Sequence, residues 1–121
     1  MARIIFDVDG DGVADPLSDS LLILRYFSGL RGEELITDAL SVGAVRTEAP
    51  DIEGYIRNIW CYLDIDGDGE VTWGDLLLLH RYLFGFTGDV LIDGAVAAGA
   101  IRPTSDLIVA YIEQFTTDLD L

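Results

Sequence analysis

Asp64-Ile65-Asp66-Gly67-Asp68-Gly69-Glu70-Val71-Thr72-Trp73-Gly74-Asp75 is the stretch on which the reading of this chain turns. Asp64, Asp66 and Asp68 stand at positions 1, 3 and 5 of a twelve-residue loop, and Asp75 closes it at position 12. Gly69 fills position 6, where the backbone turns sharply and a Cβ is expected to obstruct it. Glu70 offers a carbonyl at position 7, and Thr72 sits at position 9. A hard dication needs about six to eight oxygens at about 2.3–2.6 Å, and alternate residues of a tight loop converge them on one point. The ordinary alternative is an acidic, glycine-rich surface turn. Four carboxylates at these spacings, with the glycine in place and an apolar run behind, favour a calcium-binding loop.

A second, less regular loop lies upstream. Asp7, Asp9, Asp11, Gly12 and Asp15 fill positions 1, 3, 5, 6 and 9, with the Val13 carbonyl at position 7. Position 12 is Ser18, which supplies no charge, and Asp19 follows one place later. Two arrangements satisfy this pattern. In one, Asp15 coordinates directly and Pro16 helps widen the loop until Asp19 reaches the ion. In the other, water replaces the closing carboxylate.

The extra residue is the only gap in a tandem repeat of period 56. That shift matches Asp19 with Asp75, Arg25-Tyr26 with Arg81-Tyr82, Gly29 with Gly85 and Leu35-Ile36 with Leu91-Ile92. It also matches Gly43-Ala44 with Gly99-Ala100, Arg46 with Arg102 and Tyr55-Ile56 with Tyr111-Ile112. Repeats of this length bury their apolar faces against neighbouring copies. The expectation is one calcium-binding module over 1–121, made of repeats at about 7–62 and 64–119 and carrying two ions. The register sets Asp120 opposite Asp64, so 117–121 reads as the start of a third loop, as in a piece of a longer array.

Composition fits a small folded module. Half of the 121 residues are hydrophobic, so a net charge of −15 does not signal a disordered acidic tail. Ten of the 22 acids lie inside the loops, and without them the charge falls from −15 to −5. Seven scattered basic residues make no stripe for a phosphate backbone, which argues against nucleic acid. No run of about 18 apolar residues offers a membrane span. Met1-Ala2-Arg3 leads into the first repeat without a signal-peptide pattern, as expected of a chain begun at a module boundary. Cys61 is the only cysteine, and packing in or near the core is its expected role.

Between the loops the pattern is helical. Ile52, Tyr55, Ile56, Ile59 and Leu63 fall on one helical face leading into Asp64, and Pro50 and Asp51 suit the first turn. Leu76-Leu77-Leu78-Leu79 opens an outgoing helix, matched by a helix from about Asp19 to Ser28. Gly85-Phe86 and Gly29-Leu30 predict left-handed helix caps. Residues 33–44 and 89–100 predict a short helix and a glycine-containing turn. Ile108, Tyr111, Ile112, Phe115 and Leu119 repeat the 52–63 face and are expected to fold back beside the first loop. The predicted fold is all-α: two tandem EF-hand-like repeats packed as one pseudo-symmetric unit.

The Asp-x-Asp-x-Asp-Gly loops, each followed by a leucine-rich helix, resemble the dockerin and EF-hand-like calcium modules of secreted bacterial proteins. Asp75 at position 12, where signalling EF-hands usually carry Glu, resembles the dockerin pattern. So does Arg81, six residues on, with Arg25 as its counterpart. The resemblance covers Asp7–Leu30 and Asp64–Phe86 and implies an extracellular or cell-surface setting. It departs where dockerins contact cohesin: Trp73-Gly74 and Pro16-Leu17 replace small polar residues. The 57 residues from Asp7 to Asp64 also exceed the usual spacing.

His80 is the only histidine and has no second zinc-type ligand. Tyr26, Phe27, Tyr82, Phe84 and Phe86 read as core, and Trp73 as either loop packing or an exposed anchor. No nucleophile–base–orienter set is legible, so no enzyme is expected. Two functions remain: a calcium-rigidified structural repeat, which the period favours, and a dockerin-like module binding a protein through the outgoing helices or Trp73. A cytosolic sensor ranks third, since Met1 is the only methionine. Mutual burial of the outgoing helices predicts a monomer with Arg25 and Arg81 left outside.

Overall fold

A computed structural model describes residues 4–116. The segment read as the start of a third loop lies outside them. The described residues are all-helical, with no strand between the loops. The helices are α1 (Asp19–Phe27), α2 (Glu33–Ile36), α3 (Ala49–Ile59), α4 (Trp73–Leu83), α5 (Asp89–Ile92) and α6 (Ser105–Thr116). A 3-10 turn, Trp60–Leu63, carries α3 into the second loop.

Local chemistry sets the helix ends. Pro50 sits in the first turn of α3, where its missing N–H costs nothing, and Asp51 lies near the positive end of the helix. After α4 the Gly85 N–H donates to Tyr82 O and the Phe86 N–H to Arg81 O; after α1, Gly29 and Leu30 bond Tyr26 and Arg25 in the same way. These paired bonds are the expected caps, and they need the positive φ of Gly29 and Gly85, 99° and 97°.

The leucine runs bury against each other. Leu22 and Ile23 of α1 and Leu76, Leu78 and Leu79 of α4 join a single core with Leu35, Ile52, Ile56, Leu91, Ile108 and Ile112. α1 and α4 pack together at its centre. Phe6 and Val8 enter this core from the first loop, and Leu63 and Ile65 from the second. Each loop is therefore anchored by apolar residues alternating with its aspartates.

α6 does fold back to the first loop: the Phe6 N–H donates to Phe115 O (2.8 Å), and their rings lie 5.3 Å apart. In the repeat register Phe115 corresponds to Ile59 and Phe6 to Leu63, which are four residues apart in the chain. α6 thus meets the first loop with the spacing of a helical hydrogen bond.

Three expectations are corrected. Cys61 is exposed, because it lies on the 3-10 turn away from the face formed by Ile52, Ile56, Ile59 and Leu63. Phe84 and Phe86 are 51% and 46% exposed, beyond the last turn of α4 that packs on the core. Arg25 and Arg81 are half-buried rather than left outside. Arg25 Nη1 donates to the carbonyls of Leu35 (3.0 Å) and Thr37 (2.6 Å), and Arg81 Nη1 to those of Leu91 (3.0 Å) and Asp93 (2.8 Å). Each guanidinium fastens the carbonyl end of a four-residue helix, a place where positive charge is stabilising.

Candidate metal centres

Each loop draws four carboxylates together. Asp7, Asp9, Asp11 and Asp19 form one group and Asp64, Asp66, Asp68 and Asp75 the other, with one oxygen from each residue inside 4.8 Å of all the rest. Oxygens bound at about 2.3–2.6 Å to one ion lie no further apart than about twice that distance, so each group could hold a metal ion. In the first loop the fourth carboxylate comes from Asp19, one place beyond position 12.

The same backbone donors shape both loops. Asp7 Oδ2 accepts from the Gly12 N–H (2.8 Å) and Asp64 Oδ2 from the Gly69 N–H (2.9 Å). Asp11 accepts from the Val13 N–H and Asp68 from the Glu70 N–H, both at 3.1 Å. Gly12 and Gly69 have φ of 97° and 99°. A Cβ on either would meet nothing within 4 Å, so these positions require glycine for conformation rather than for space. Crowding acts instead at Gly67, where a Cβ would strike the Ile101 side chain.

Asp15 and Thr72 stand beside the carboxylate groups, at the starts of the outgoing helices. Thr72 and Asp75 form a capping box, with the Thr72 N–H donating to Asp75 Oδ2 (2.7 Å). Asp15 Oδ1 accepts from the N–H groups of Leu17 (2.8 Å) and Ser18 (3.1 Å), while its own N–H donates to Asp19 Oδ2 (2.9 Å). Val13 and Glu70 lie on the exposed outer side of the loops.

Gathering the carboxylates perturbs them. Burial, opposed by N–H donors from Asp15 and Asp9 and reinforced by the charge of Asp9, pushes the Asp19 carboxyl up to about 8. Burial pushes Asp7 up to about 6, with a hydrogen bond to Asp11 adding to it. Asp75 also rises to about 6, through burial and the neighbouring Asp66 charge. A divalent cation is the natural counter-charge for groups held this way.

Sequence reasoning missed the segment that wraps each loop. The Ser41 N–H donates to Asp9 Oδ2 and the Ala97 N–H to Asp66 Oδ2, both at 2.8 Å. The Arg46 N–H donates to Asp9 O (2.8 Å) and the Arg102 N–H to Asp66 O (2.9 Å). The available signal was the recurrence of Arg46 as Arg102 and of Tyr55 as Tyr111, polar positions that a purely apolar repeat would not keep.

Ser20 Oγ and His80 Nδ1 lie 2.6 Å apart across α1 and α4. Ser20 is buried, and the bond joins the two helices within the core contact. No helix of the described residues is long and apolar enough to cross a membrane. Comparison with protein-family models, with curated proteins and with solved structures finds no match to this chain.

Proposed function

We propose that the protein is a calcium-binding structural repeat module of a larger extracellular protein, in which two ions order two EF-hand-like loops and the helices they join. The observation that carries this reading is the pair of four-aspartate groups at corresponding places in the two halves. Apolar residues alternate with the ligands (Val8 between Asp7 and Asp9, Ile65 between Asp64 and Asp66), so an ion held by a loop also fixes core residues. Metal binding is then part of folding. Affinities in the range of about 10⁻⁷ to 10⁻⁴ M suit a module filled by the calcium of an extracellular setting. In this reading the two repeats form one pseudo-symmetric, monomeric, non-enzymatic unit, with Ser20–His80 as a helix-to-helix bond.

Calcium titration by calorimetry tests the proposal. Two ions per chain are expected, with magnesium binding far more weakly; absence of saturable calcium heat would overturn it.

A dockerin-like interaction module is the second reading, favoured by Trp73. It is 52% exposed beside the second loop, with its ring 5.7 Å from Phe27. An exposed aromatic on a metal-ordered loop suits a partner anchor. The commitment of Arg25 and Arg81 to carbonyls of their own halves weighs against the rest of that surface.

A further inference from the structure

We propose that Arg46 with Tyr55, and Arg102 with Tyr111, are positioning residues that hold the two loops ready for a cation and tie each loop to the other. The proposal rests on the calcium reading. Arg46 Nε donates to Val8 O (2.7 Å) and Nη2 to Asp7 O (2.9 Å), with the guanidinium carbon 4.0 Å from the centre of the Tyr55 ring. The Tyr55 hydroxyl donates to Ile5 O (2.7 Å). In the other half Arg102 Nε donates to Ile65 O (2.7 Å) and Nη2 to Asp64 O (2.8 Å), with its guanidinium carbon 3.9 Å from the centre of the Tyr111 ring. The Tyr111 hydroxyl donates to Tyr62 O (2.8 Å).

The chemistry calls for these residue types. Two successive carbonyls at loop positions 1 and 2 need a rigid fork of donors, which guanidinium has and ammonium lacks. The flat cation stacks on the phenol, and the phenol hydroxyl fixes a carbonyl two residues before position 1. Together they pin three backbone carbonyls at the start of each loop, and so set where its first aspartates point. A permanent positive charge beside four carboxylates also eases their repulsion before an ion arrives.

The cross-tie follows from where the tyrosines sit. Tyr55 grips the first loop from α3, and α3 continues through Trp60–Leu63 into Asp64. Tyr111 grips the second loop from α6, and the end of α6 accepts the Phe6 N–H one residue before Asp7. Each of these helices therefore holds one loop by its tyrosine and ends at the start of the other. An ion that orders either loop orders a helix on which the second loop depends, and such coupling is reciprocal.

The test uses the full chain with Arg102→Lys, Tyr111→Phe, Arg46→Lys and Tyr55→Phe. Calcium affinity is read by calorimetry, and the second loop is followed by terbium luminescence sensitised by Trp73. Arg102→Lys is expected to weaken the second loop by about 10-fold or more. Arg46→Lys and Tyr55→Phe, whose polar groups bond the first loop, are expected to shift the Trp73-sensitised midpoint by about 5-fold. In excess chelator, amide exchange at Gly12 or Gly69 should quicken in the variant of the same loop. Wild-type affinity in both Arg102→Lys and Tyr111→Phe would overturn the positioning role, and an unmoved terbium midpoint in Tyr55→Phe would overturn the cross-tie. Failure of the wild-type protein to bind calcium would instead remove the metal reading; the exchange rates in chelator still decide the clamp, which unchanged protection would overturn.

Discussion

The two loops gather the same four carboxylates by different turns, and one residue makes the difference. In the second loop Thr72 O accepts from the N–H groups of Asp75 and Leu76, three and four residues on. In the first, Asp15 O accepts from Asp19 and Ser20, four and five residues on. The inserted residue is absorbed as a wider turn before α1, so the closing carboxylate is kept and the compact capping box is lost. The two closing carboxylates also differ in how far burial raises them. Asp19 is pushed up to about 8, whereas Asp75 is pushed up only to about 6. In the proposed calcium reading, a proton competes with the ion more strongly at the first loop.

Breaking the loops one at a time should give the largest effects. Asp64→Ala is expected to abolish the tighter site and Asp7→Ala the weaker one. Each variant should lose about 2.7 kcal/mol of stabilisation at calcium near one hundred times the dissociation constant of the lost site. Calorimetry and denaturation in calcium measure both, and loss of the tighter site in Asp7→Ala would reverse the ranking.

pH sharpens the comparison. Without metal, native Asp19, Asp7 and Asp75 hold protons that the unfolded chain releases near 3.8. Stability in chelator should therefore be greatest near pH 4 and fall as pH rises through about 6 and then about 8. In saturating calcium the slope should reverse, since binding requires the deprotonated carboxylates. The affinity gap between the loops should also narrow between pH 7 and 9. Parallel pH profiles with and without calcium would contradict this account of the carboxylates.

Deleting exposed Leu17 restores a twelve-residue first loop. It should tighten that site toward the second in a calorimetric titration, with a smaller tightening carried to the second loop through the cross-tie. A smaller contrast lies further on, where Asp38 has a φ of 58° and its counterpart Gly94 a φ of 69°. Asp38→Gly relieves a left-handed conformation but frees the unfolded chain, so its effect on unfolding should stay within about 1 kcal/mol.

Much of this architecture could be read from spacing alone. The loops, the outgoing helices, the glycine caps and the fold-back of α6 all follow from local periods and a repeat register. Hydrogen bonds spanning about forty residues do not announce themselves in that way. Arg46 reaches the first loop across 39 positions and Arg102 the second across 38. Spacing marks Asp15 at position 9 but does not show that its carboxylate accepts N–H groups of the helix start, because the wider turn makes those bonds. Cys61 is exposed because it lies off the face of Ile52, Ile56, Ile59 and Leu63, which its place two residues after Ile59 already implies.

The most direct test of the central claim, that two ions hold this fold together, is thermal unfolding followed by circular dichroism in calcium and in excess chelator. The account predicts a melting temperature that falls markedly on chelation at pH 7.5 and is restored by added calcium. Superimposable melting curves in the two conditions would contradict it.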